Sequence, residues 1–298
     1  MHIEEIKGII PPIITPIDKN ENIDTAKFCK QIDYVIDGGV HGILLFGSNG
    51  EFYMLDEAEM KQGTELALTH VNNRVPLHFG IGAIRTKTCV RYAQFAKDAG
   101  CSAVSVLAPM FLKPTDDELF AHFSAIADAV GDMPVLMYNN PGRVGYGMSA
   151  NLIVRLANEV SNIVGLKESS GDMTLVADII RQTDASKFRV LGGKDTLIYG
   201  TLAHGGSGAV ATMANVFPEL VCSIYEKYAA GDIKGSLEAQ YQLMPVRLSM
   251  DKASFPVATK DMANLRGMDV GASFLPSKNS TGDTLAFMKG KMQDAGLL

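Results

Sequence analysis

Clustered lysines and arginines are missing from this 298-residue chain. Its 27 Lys and Arg are outnumbered by 33 Asp and Glu, for a net charge of -6. A phosphate backbone is gripped by a basic stripe, so nucleic acid is excluded as a partner. Cysteine is sparse: Cys29, Cys89, Cys101 and Cys222 are scattered with no CxxC pair. That excludes a disulfide scaffold and fits reduced thiols. Every apolar run is broken by Gly, Pro or charge before the roughly 20 residues a bilayer demands, so no membrane span is expected. The N-terminal stretch MHIEEIKGIIPPIITPI has acids before its apolar run and prolines inside it, unlike an export signal, and a cytoplasmic location is expected. Among His2, His41, His70, His78, His122 and His204 there is no HxH or HExxH spacing, so no metal centre is expected.

What the chain does have is a recurring unit. Apolar runs without alternation occur at 8–14, 42–46, 77–81, 103–107, 134–138, 163–167, 188–191 and 208–211. Runs of this kind suit strands buried on both faces. Amphipathic segments lie between them, with helix starts such as Asp56-Glu57-Ala58-Glu59 and Thr115-Asp116-Asp117-Glu118, whose acids favour a helix N-terminus. Eight alternations with strand starts about 20 to 35 residues apart predict an α/β fold, a (β/α)8 TIM barrel. A doubly wound open sheet is the alternative, but no GxGxxG turn follows a strand. The spacing predicts the barrel over residues 1–230 and a helical C-terminal extension over 231–298.

Chemistry on a barrel sits where strands end. The sixth run, Ile163-Val164-Gly165-Leu166-Lys167, puts an amine where the interior meets the mouth. Desolvation there leaves more free amine, the form that attacks a ketone, whereas a lysine snorkelling to solvent is the plainer alternative. The fifth run ends Tyr138-Asn139-Asn140-Pro141-Gly142-Arg143. Tyr138 is either a proton-carrying phenol or a rim tyrosine. Arg143 is either a bidentate carboxylate clamp or half of a surface ion pair. The second run enters Gly47-Ser48-Asn49-Gly50-Glu51, which is either a turn whose amides take a carboxylate or simply a good turn sequence.

Taken together, GSNGE after the second run, YNNPGRVG after the fifth and GLKESSGD at the sixth resemble the dihydrodipicolinate synthase / N-acetylneuraminate lyase family, along essentially the whole barrel, including Gly192-Gly193 and GGSGAVATMANVFP. The resemblance implies that Lys167 forms a Schiff base with pyruvate and that Tyr138 moves protons. It implies that Ser48 and Asn49 hold the pyruvate carboxylate largely through backbone amides, with the Ser48 hydroxyl linked to Tyr138. It further implies that Gly193 and Val210 line the pyruvate pocket, that Arg143 grips a distal carboxylate, that no cofactor is needed, and that the chain is a homotetramer or homodimer. Synthases of the family carry two threonines in the second turn and a relay tyrosine after the fourth strand. Here Ser48 and Asn49 occupy the turn, and Phe111 stands where the relay phenol would lie; phenylalanine relays no proton.

The GSNGE form is similar to aldolases that cleave 4-hydroxy-2-oxo acids, and reversible cleavage of such an acid to pyruvate and an aldehyde is the first reading. Dihydrodipicolinate synthase, condensing pyruvate with aspartate semialdehyde, is the alternative, with a dehydratase or deaminase of the same family beside it. From other classes come a phosphate-handling barrel, suggested by Gly192-Gly193-Lys194 and Gly205-Gly206, and a non-catalytic 2-oxo acid binder.

Overall fold

The eight apolar runs form one parallel sheet in the computed structural model, which describes residues 3–298; His2, counted above among the histidines, lies outside them. The strands are β1 (Gly8–Ile9), β2 (Ile43–Leu45), β3 (Leu77–Ile81), β4 (Ala103–Leu107), β5 (Val135–Asn139), β6 (Ile163–Glu168), β7 (Arg189–Gly192) and β8 (Gly208–Ala209). Their order, β1-β8-β7-β6-β5-β4-β3-β2, is that of a (β/α)8 barrel opened at one seam. The seam lies between the first and second strands, and its chemistry explains its irregularity. Pro11 and Pro12 follow β1 closely and have no N–H to donate. Closure therefore uses the groups around them: Leu44 donates to the Pro11 carbonyl and Ile13 donates to the Leu44 carbonyl, each at 2.9 Å. A single parallel bridge, Pro12 to Leu44, marks the join. The first strand is thus much shorter than the apolar run at 8–14 that predicts it.

Helices cross between the strands: α1 (Thr25–Asp37), α2 (Glu57–Val71), α3 (Thr86–Ala99), α4 (Asp116–Val130), α5 (Pro141–Val144), α6 (Ala150–Glu159), α7 (Met173–Gln182), α8 (Ile198–Ala203) and α9 (Pro218–Ala229). Both predicted starts are complete capping boxes, Asp56 with Glu59 on α2 and Thr115 with Glu118 on α4. Each pairing satisfies two backbone donors that a helix end would otherwise leave open. The large core packs between sheet and helices. A separate cluster of Ile6, Ile10, Leu44, Ala103, Leu136, Leu191 and Val210 fills the inside of the barrel. Beyond β8 the regular structure is helical, ending in α10 (Ile233–Ser249), α11 (Val257–Leu265) and α12 (Gly282–Asp294). Among the described residues no helix is long and apolar enough to cross a membrane.

Candidate active site

Parallel pairing sets Tyr138 opposite Lys167 in the β5–β6 register, and Lys167 opposite Leu191 in the β6–β7 register. Laterally paired residues share a face and successive residues alternate. Because Leu191 belongs to the interior cluster, Tyr138 and Lys167 both face into the barrel at its C-terminal end. The Lys167 side chain is only 4% exposed, and its Nζ lies 4.0 Å from the Tyr138 ring centroid. That placement runs against the snorkelling alternative. Burial pushes the Tyr138 phenol up, but the Lys167 charge and hydrogen bonds from Ser48, Asn140 and Lys167 outweigh it and hold the phenol below its usual range. Sequence pattern does not single out Asn140, whose Nδ2 sits 2.7 Å from the Tyr138 hydroxyl. A small cavity opens beside Ser48 and Tyr138, walled by Phe46, Gly80, Ser105 and Leu107.

Residues one step along face the other way. Asn139 and Glu168 pair in the same register, and Asn139 donates to the Glu168 carboxylate at 2.6 Å. The other Glu168 oxygen accepts from the Ser170 amide, while the Asn139 side-chain oxygen accepts from Met148 N at 3.0 Å. This buried network ties the ends of β5 and β6 and so fixes the neighbouring Tyr138 and Lys167. Both residues stand inside the motifs quoted above, one place after the candidate residues; strand alternation is the signal that marks them.

The GSNGE turn folds as a single 3-10 turn over 48–50. Its first amides, of Ser48 and Asn49, have no partner within the turn, as at any helix start, and are free to meet an anion. The Asn49 side chain is otherwise engaged: it donates to Thr212 Oγ1 at 2.9 Å and accepts from Thr259 Oγ1 at 3.0 Å. Asn49 thus ties the turn to the loop after β8 and to α11. Glu51 adopts a left-handed backbone, φ 55°, and its carboxylate meets Lys260 Nζ at 2.6 Å, with both side chains 1% exposed. Phe274 N donates to Glu51 Oε1 at 3.1 Å, and Lys260 donates to the Ala272 carbonyl at 2.8 Å. Burial lowers the Lys260 ammonium, and the Glu51 charge only partly offsets this. The C-terminal helices therefore brace the turn that carries Ser48 and Asn49.

The remaining candidates are spread around this centre. Arg143, on the last turn of α5, is exposed at the rim with its guanidinium stacked 4.1 Å from the Phe255 ring centroid. Gly193 packs against the end of β6, where a Cβ would overlap Ser169 Oγ and come within 3.0 Å of the Glu168 carbonyl. Val210 belongs to the apolar cluster filling the barrel. Phe111 is 97% exposed with φ 75°. Asp195, which the sequence pattern does not single out either, is a buried carboxylate accepting from Thr212 N at 3.0 Å and Met213 N at 2.7 Å. Burial raises it above the usual carboxylate range despite those bonds and the Arg247 and Lys167 charges.

The dihydrodipicolinate synthetase family model matches residues 5–287. The chain belongs to that family. It is 34% identical over 295 residues to the 4-hydroxy-tetrahydrodipicolinate synthase of Methanopyrus kandleri, covering 99% of this chain and 98% of the relative. Its fold superposes on the dihydrodipicolinate synthase of Bacillus anthracis with a TM-score of 0.92 at 31% identity, covering 96% and 97% of the two chains. A prophage protein of Escherichia coli K12 in the same family, solved in complex with pyruvate, superposes at 0.94 with 28% identity, covering 98% and 99%. Family membership makes the chain an enzyme of the class I, lysine Schiff-base lyase type on a TIM barrel.

Proposed function

We propose that this enzyme makes or breaks a carbon–carbon bond between pyruvate and an aldehyde through an imine on Lys167. The buried, in-register pairing of Tyr138 with Lys167 carries the reading. Neutral Lys167 attacks C2 of pyruvate and water leaves, giving a protonated imine. Loss of a C3 proton converts it to an enamine, whose C3 attacks the aldehyde carbon. Tyr138 moves these protons and delivers one to the new alkoxide, and water then releases the product. Cleavage is the same path reversed. The Ser48 and Asn49 amides take the pyruvate carboxylate, Gly193 and Val210 shape the wall, and no external cofactor enters.

For the aldehyde half, the relatives favour the condensation that the sequence by itself ranks second. Their shared name is 4-hydroxy-tetrahydrodipicolinate synthase, and Arg143 at the rim suits an aldehyde that bears a carboxylate. Cleavage of a 4-hydroxy-2-oxo acid is kept as a second reading because Ser48 and Asn49 replace the threonine pair and Phe111 brings no hydroxyl. A homodimer or homotetramer belongs to the proposal, supported by exposed Phe111, Leu112, Tyr53 and Ile84. So does a cytoplasmic location, supported by four free cysteines.

Borohydride added with pyruvate should leave a reduced adduct on Lys167 of the parent and none on Lys167→Ala. An adduct on the alanine variant, or none on the parent, sinks the imine. Arg143→Ala should then lose far more turnover with aspartate semialdehyde or glyoxylate as partner than with a neutral aldehyde. Equal losses would remove Arg143 from the carboxylate role.

A further inference from the structure

Asn140 stands at the N-cap of α5, where an asparagine side chain ordinarily accepts from an open amide of the helix. Here it makes no such cap. The amides of Arg143 and Val144 are met instead by the Asn140 backbone carbonyl, at 3.0 and 3.1 Å. The side chain turns back across the strand end, and its Nδ2 lies 2.7 Å from the Tyr138 hydroxyl. It therefore gives its donor to the phenol rather than its acceptor to the helix. Tyr138 is buried, and the residue at the expected relay position, Phe111, points fully into solvent within this chain. An amide neither takes nor passes on a proton at neutral pH, but its N–H binds a phenolate more strongly than a phenol.

We infer that Asn140 is a positioning residue that, beside the Lys167 Nζ 4.0 Å from the same ring and the Ser48 hydroxyl in the same cavity, stabilises the proton-accepting form of Tyr138 and so helps to set the pH range of proton transfer without a second phenol. The inference rests on the imine reading above. Asn140 exchanges no proton itself. The C3 proton of the imine goes to the Tyr138 oxygen, the electron pair it leaves forms the enamine double bond, and the Asn140 hydrogen bond, strongest to the phenolate, holds that oxygen ready to accept.

Pyruvate alone is a sufficient probe, because its methyl protons should exchange into deuterium oxide each time the enamine forms. Exchange is followed by proton NMR from neutral to alkaline pH in the parent, Asn140→Val, Asn140→Asp and Asn140→Gln, alongside borohydride trapping on Lys167. Asn140→Val should trap pyruvate as the parent does but exchange roughly 10- to 100-fold more slowly near neutral pH, the worth of one hydrogen bond to a charged group. Its rising alkaline limb should move to higher pH. Asn140→Asp, which sets a carboxylate against the phenol, should move the limb further, and Asn140→Gln should restore part of the loss. An unmoved pH profile in Asn140→Val with normal trapping overturns the inference and leaves the imine reading standing. Loss of trapping in Asn140→Val also overturns it, by placing the residue in imine formation instead. Absence of trapping in the parent overturns the imine reading itself.

Discussion

Removing the ammonium of Lys260 should unfold this protein more readily than any exposed charge change would. The Nζ lies 2.6 Å from Glu51 Oε2 with both side chains 1% exposed, so in Lys260→Met the Glu51 carboxylate stays buried with only the Phe274 amide to meet it. Breaking a buried pair from one side costs about 3–5 kcal/mol. The Ala272 carbonyl loses its donor as well, which keeps the expected loss at the upper part of that range. At roughly 2–4 °C per kcal/mol for a domain of this class, a loss of about 4–5 kcal/mol should lower the melting temperature by on the order of 8–20 °C. Urea denaturation of the parent, Lys260→Met, Glu51→Gln and the double variant gives the pair's coupling directly. The double variant should recover much of the loss, because the amide introduced by Glu51→Gln carries no charge and its oxygen still accepts from the Phe274 N–H. A Lys260→Met loss within about 1 kcal/mol, the range of an exposed pair, would refute the claim that the pair is desolvated.

Burial holds the His78 and His122 imidazoles down to about 4. The unfolded chain protonates them near 6.5, so it binds more protons than the folded chain between those values, and stability falls as the pH drops from about 6.5 toward 4, by roughly 3 kcal/mol for each. His78→Leu should flatten the urea midpoint over that window, and an unchanged slope would show that His78 charges without unfolding. Gly193→Ala should slow imine trapping by forcing the end of β6 away from the new methyl. Adding Ser169→Ala removes the overlapping hydroxyl and should restore part of the rate; no restoration would place the obstruction elsewhere.

The barrel was legible because its evidence is local. Non-alternating apolar runs mark strands buried on both faces, and the acids and threonine at 56–59 and 115–118 specify their own helix starts. Lys167, Tyr138 and the 47–51 turn stood out for the same reason: each ends an apolar run. The shortening of the first strand was written in Pro11 and Pro12, whose missing donors forbid a regular ladder across the seam.

What no local pattern could supply is which residues meet across the fold. The register that sets Tyr138 beside Lys167 and Asn139 beside Glu168 depends on how two strands slide against each other in closing the barrel. Asn49 meets Thr259, and Glu51 meets Lys260 and Phe274, across more than 200 residues of chain; only the packing of the C-terminal helices decides those contacts. Sequence by itself determined the strands, the caps and the kinds of reactive group at the strand ends. Tertiary structure decided their distances, their burial, the meeting of Tyr138 with Lys167 and the bracing of the 48–50 turn by Thr259 and Lys260, because hydrogen bonds and desolvation act through space and these partners lie far apart along the chain.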